Sequence, residues 1–256
     1  GWERTIVDGG RPLGGGSGVG CFSVTGTGSL VLDAVTVRNC YRDYSNGVTG
    51  AAVKVANTAS VMVTNSLLQS NEAIYGGAIS AWSSATVELV DSTFDSNQAL
   101  GGGVMEVGSV TATGCTFSNN LVTASGNPVA FGHSSVIWGT SATLTNCTVS
   151  GNHGEGDRGT ALNLFSSLQL EHVTIAHNSA DLSEAGIGPT SSLTVHHSIL
   201  SDNSGGNCDP TITLTAATYN IEDTDTCGFG GGTGNLINTD PLLDPLGDYG
   251  GPTHTH

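Results

Sequence analysis

The chain has 256 residues, 38 of them Gly, with 37% hydrophobic, 5% aromatic and 11% charged residues. That is long enough for one large core of small side chains, and it combines too much hydrophobicity with too little charge for a disordered tail. Six Lys plus Arg against 22 Asp plus Glu leave a formal charge of -16, and no basic residue follows Arg158; nucleic acid and anionic membrane surfaces, which draw on clustered cations, are therefore excluded as partners.

In chain order, residues 1–28 read as an N-terminal cap or first coil. Gly1 opens without the charged and apolar regions of a signal peptide, and no run approaches the roughly 18 apolar residues of a membrane-spanning helix. The expectation is mature or trimmed soluble material without membrane insertion. The glycine-rich stretch from Gly14 to Gly20 lacks the Lys-Ser/Thr of a phosphate loop and reads as a cap loop.

From residue 29 to 217 a repeat takes over, in which a hydrophobic residue is followed three positions later by Asn. Asn71, Asn97, Asn120, Asn152, Asn178 and Asn203 stand at intervals of 26, 23, 32, 26 and 25 residues, the spacing of a solenoid and shorter than the roughly 40–50 residues of a propeller blade. Five residues before each Asn stand Ser66, Ser92, Cys115, Cys147, Val173 and Ser198; eight before stand Val63, Leu89, Ala112, Leu144, Leu170 and Val195. Polar residues alternate with these small or apolar ones, so short strands bury one face. A break falls six residues before each Asn. Glycines, as in Gly76-Gly77-Ala78-Ile79, permit a tight turn before a third strand. The fold class is all-β: a right-handed single-stranded parallel β-helix with irregular terminal segments. The six Asn are expected to stack as a structural ladder at a corner.

These short motifs carry a resemblance. GGAI at 76–79, with FDSN at 94–97 and FSNN at 117–120, is similar to the repeats of bacterial polymorphic outer-membrane proteins, which implies a β-helical surface domain. Residues 218–256 read as an irregular segment or cap. Within them GNLINTDPLL at 234–243 and GGPT at 250–253, together with IVDG at 6–9, resemble secreted bacterial proteins of the choice-of-anchor type. The resemblance implies a secreted or cell-surface location and, for most such proteins, no assigned reaction.

The six Cys point to an oxidising compartment. Cys208 and Cys227 are expected to form a disulfide closing the C-terminal segment. Cys115 and Cys147 share one register on adjacent coils and are either a bridge or two stacked buried thiols, the second being favoured by the Ser and Val filling that column. By elimination, Cys21 and Cys40 can tie the N-terminal cap. No paired CxxC units occur, which argues against structural zinc.

Chemistry concentrates in the run from Asn152 to Arg158, in Glu171-His172 and in His196-His197. His172 and His197 share the position six before the ladder Asn, so coils about 4.8 Å apart can bring them together. Two functional readings follow. Glu171, His172, His196 and His197 offer imidazole and carboxylate ligands for a divalent cation, whereas Arg158, His172 and His197 offer a base and a cation for cleaving an acidic polysaccharide. Against both stands a solvated polar face, and uronate lyase chemistry is poorly supplied with cations when Arg158 is the only Lys or Arg after Lys54. The acidic C-terminal residues lack an EF-hand pattern and read as solvated turns. The sequence therefore points to a secreted or cell-surface, non-catalytic β-helix with a structural, adhesive or self-associating role, extracellular glycan as a candidate partner and no required cofactor; a lyase or hydrolase using the His/Glu/Arg cluster is the alternative.

Overall fold

Two left-handed residues per coil shape the chain. The first series is Asn65, Asp91, Gly114, Asn146, His172 and His197, with φ from 47° to 65°; the second, five residues on, is Ser70, Ser96, Asn119, Gly151, His177 and Asp202, with φ from 53° to 66°. Asn, Asp and Gly enter this region at least cost, and β-branched residues are absent from both series. Between each pair of bends lies a strand of three residues, such as Thr93–Asp95. The computed structural model describes residues 5–10, 20–42, 49–100, 103–123, 135–155, 160–181 and 186–256, and its strands stack as a right-handed parallel β-helix.

Among the described residues the strands form three sheets. The front sheet has nine short strands, beginning with Thr5–Asp8 and ending with Ile221–Glu222. The side sheet has five two-residue strands, from Glu72–Ala73 to Ser179–Ala180. The back sheet has ten, some as long as the 12 residues of Ile79–Val90 and Thr160–Glu171. Coils stack in register, so that Phe94 pairs with Leu68 on one side and Phe117 on the other. The front sheet's inward column, Val37, Leu68, Phe94, Phe117, Val149, Ile175 and Leu200, is wholly buried, with the two Phe rings stacked at 5.1 Å. Burial of such columns, at about 25 cal/mol per Å2 of apolar surface, is the main stabilising contribution.

The Asn side chains close the second bend. Asn71 accepts the Cys40 N–H, each later one accepts the backbone N–H of the preceding ladder Asn, and the side-chain amide passes to the next: Asn97 Nδ2 donates to Asn120 Oδ1 at 3.2 Å, and Asn120 Nδ2 donates to Asn152 Oδ1 at 2.9 Å and to the Phe94 carbonyl at 2.9 Å. The ladder runs from Asn71 to Asn203 and passes its last amide to Asn207. At the first bend the Ser hydroxyls do the same work; Ser92 Oγ accepts from the Ser66 N–H at 3.1 Å and donates to the Val90 carbonyl at 2.8 Å. Cys115 and Cys147 occupy this column as free, buried thiols, and contact with the Cys147 thiol, then burial, pushes the Cys115 thiol up and keeps it neutral.

Disulfides lie at the two ends, Cys21–Cys40 and Cys208–Cys227. Solenoid pairing extends beyond residue 217, because Ile221–Glu222 joins the front sheet and Leu236 bridges to Ile221. The segment read as irregular from 218 onward therefore begins with a further coil. Glu222 takes the place of an aliphatic residue under Leu200; its Oε1 accepts from the Thr226 and Cys227 N–H groups at 2.8 and 3.1 Å. Beyond it the chain turns back across the front sheet. Thr253 Oγ1 donates to the Gly114 carbonyl at 2.9 Å, the Thr116 hydroxyl donates to the His254 carbonyl, and His256 Nε2 lies 2.8 Å from Ser150 Oγ. No sequence periodicity announced this strap.

Candidate functional site

The first bend carries the polar cluster to the surface. A left-handed residue projects its side chain out of the coil, and register places His172 (φ 55°) directly below His197 (φ 51°). Their rings stack at 4.9 Å and 20°, and Tyr219 continues the stack on His197 at 5.4 Å and 1°. Glu171 Oε1 lies 2.8 Å from His197 Nδ1 and 3.3 Å from His172 Nε2. The three donor atoms fall within 4.8 Å of one another. His196, one residue before His197, instead pairs its Nδ1 with Thr218 Oγ1 at 2.7 Å, and its ring centroid is 6.5 Å from that of His197. Arg158 lies outside the described residues, and His153 pairs with Ser179 at 2.8 Å in the side sheet. The structure thus assembles Glu171, His172 and His197 and leaves His196 beside them. His172 also lines a groove of about 390 Å3 running between the first bend and the strap residues 251–255.

A second cluster, on the outer face of the back sheet, was not singled out from the sequence. Outward positions in the first half of these strands carry Ser80, Glu106, Trp138 and Asn163 in register, where the second half of the same strands carries Thr111 and Thr143. Trp82 meets Trp138 edge to face at 4.9 Å, and Phe165 meets Trp138 the same way at 5.3 Å. Glu106 belongs to the coil between the two Trp residues and is 5% exposed. Burial raises its carboxyl to about 7, although a hydrogen bond from Trp82 acts in the opposite direction. Phe165, at 45% exposure, opens the row to solvent. The signal was present: aromatic and acidic residues at outward strand positions where the neighbouring register shows Thr and Ser.

Residues 17–209 match the family described as "Right handed beta helix region", and the chain belongs to that family. Comparison with curated proteins and with solved structures gives no significant match. The family is compatible with structural and with enzymatic roles, and a fold does not by itself fix a function.

Proposed function

We propose that the protein is a secreted or cell-surface β-helix with an adhesive, non-catalytic role, which holds an extracellular carbohydrate over the aromatic row of the back sheet. The observation that carries this reading is the line Trp82, Trp138 and Phe165: the two Trp rings, two coils apart, meet at 4.9 Å, and Phe165 on the next coil meets Trp138 at 5.3 Å. Aromatic faces and edges offer large rigid contact area with little conformational freedom to lose, which suits the C–H faces of sugar rings. Two disulfides support an oxidising compartment. End-to-end stacking is less favoured at the C-terminal coil, where Asn235 Nδ2 donates to the Ala217 and Phe229 carbonyls and closes the exposed edge.

Affinity electrophoresis against a panel of neutral and acidic polysaccharides tests the proposal. Retardation by at least one polymer is expected, with quenching or a shift of Trp fluorescence and about tenfold or greater weakening in Trp138→Ala and Phe165→Ala. Equal binding by both variants, or retention by no polymer, would overturn it. Glu106 favours a second reading as a polysaccharide hydrolase, because a carboxyl near 7 can act as a general acid at neutral pH. Release of reducing sugar that disappears in Glu106→Gln would replace the adhesive reading with this one.

A further inference from the structure

We infer that Glu171, His172 and His197 form a surface site for a divalent transition-metal ion of the zinc class, independently of the carbohydrate reading. Two imidazole nitrogens and one carboxylate oxygen are the donor set that such ions prefer over Mg2+ or Ca2+. Bonds of 2.0–2.2 Å to a tetrahedral ion separate its ligands by roughly 3.4 Å. The Glu171 oxygen already lies 2.8 and 3.3 Å from the two nitrogens, and all three donors lie within 4.8 Å. Side-chain adjustments of about 1 Å complete the geometry. Each neutral ring binds the ion through the lone pair of the nitrogen that faces Glu171 and carries its single proton on the other nitrogen, a tautomer reached by exchange with water and with no net proton released.

What distinguishes this cluster from an ordinary polar face is its preorganisation. The His172 and His197 backbones are pinned by N–H donation to the His196 and Thr218 carbonyls, each at 3.1 Å. The His197 ring is held between His172 and Tyr219. Ligands on rigid coils lose little freedom on binding. The exposed side leaves coordination positions for water or a ligand, as in zinc sites with three protein donors.

Titration of tag-free, metal-stripped protein with ZnCl2 by calorimetry tests the site. Saturable binding with one ion per chain is expected, unaffected by millimolar Mg2+ or Ca2+. His172→Asn and His197→Asn are suitable variants, because Asn65 and Asn146 occupy the same bend with φ 49° and 53°, so the backbone is preserved. Each should weaken binding about tenfold or more, as should Glu171→Gln, which keeps the side-chain shape. Co2+ should give a visible absorption band in the parent that is lost in the doubly substituted His172→Asn/His197→Asn chain. Non-saturable uptake, or affinity unchanged in that chain while its circular dichroism is unaltered, overturns the proposal and places the ion elsewhere, for example at His177 and His256, whose rings meet at 5.1 Å between the second bend and the strap. If the His variants fail to fold, undiminished binding by Glu171→Gln overturns it by itself.

Discussion

Glu106 shows how a single residue can oppose the fold that surrounds it. Its carboxyl is raised from 4.5 to about 7 by burial, so between those values the folded chain keeps a proton that the unfolded chain has released. Stability contributed by the neutral form is complete below pH 4.5 and is lost as pH rises through 7, reaching roughly 3 kcal/mol at 1.36 kcal/mol per pH unit. The wild type should therefore become easier to unfold in urea from pH 5 to 8, and Glu106→Gln should flatten that dependence and be the more stable protein at pH 8. A parallel pH profile for the two proteins would count against it. This residue was hard to see in the sequence. Its aromatic neighbours come from other coils, and the coil containing Trp82 inserts extra residues, so that Val107 pairs with Ala81 but Ser109 with Thr86. The corner cluster was easier, because Glu171, His172 and His197 sit in uninterrupted register.

At the scale of the element, the bend explains why the fold could be read from one amino acid. A turn with a buried, unpaired N–H needs a side chain that both accepts and donates, and Asn alone does this while passing its amide to the next coil. Every coil meets the same demand, so the residue recurs at the coil period. Asn120→Ala removes the acceptor of the Asn97 N–H at 2.9 Å and of its side-chain amide. Buried polar groups left without partners cost about 1–3 kcal/mol each, and a loss of about 2–4 kcal/mol is expected in denaturant unfolding. Amide exchange should accelerate first in the coils bearing Asn97 and Asn152. A change below about 0.5 kcal/mol would show that water replaces the amide at no cost. The Ser column at the first bend was less legible, since Ser, Cys and Val all occupy it and only Ser supplies both the acceptor and a strong donor there.

For the whole molecule, the strap was illegible because it depends on pairs such as Thr253 with Gly114 and His254 with Thr116, which no local pattern couples. It covers Thr116, Thr148 and Ser150, which are buried although they face outward. A chain ending at residue 249 should keep the β-sheet circular dichroism of the parent, because neighbouring coils supply the core. It should also show faster amide exchange along the front sheet and a lower melting temperature. Loss of all β signal on this truncation would mean that the solenoid cannot stand without its strap.

The strap also gives the molecule a mechanical direction. A bare stack of coils pulled from its last residue would unravel from the C-terminal end, one coil after another. Here residues 253–256 are fastened to Gly114, Thr116, Thr148 and Ser150, in the middle of the stack. Tension at residue 256 would load those few hydrogen bonds before reaching the last coil, and the stretch between residues 240 and 252, beyond the Cys208–Cys227 disulfide and the Leu236 bridge, would pay out as slack once they parted. The protein then yields in two stages: a short, low-force extension with the core intact, followed by the loss of coils at higher force. Such a fastening acts as a mechanical fuse for the coils behind it.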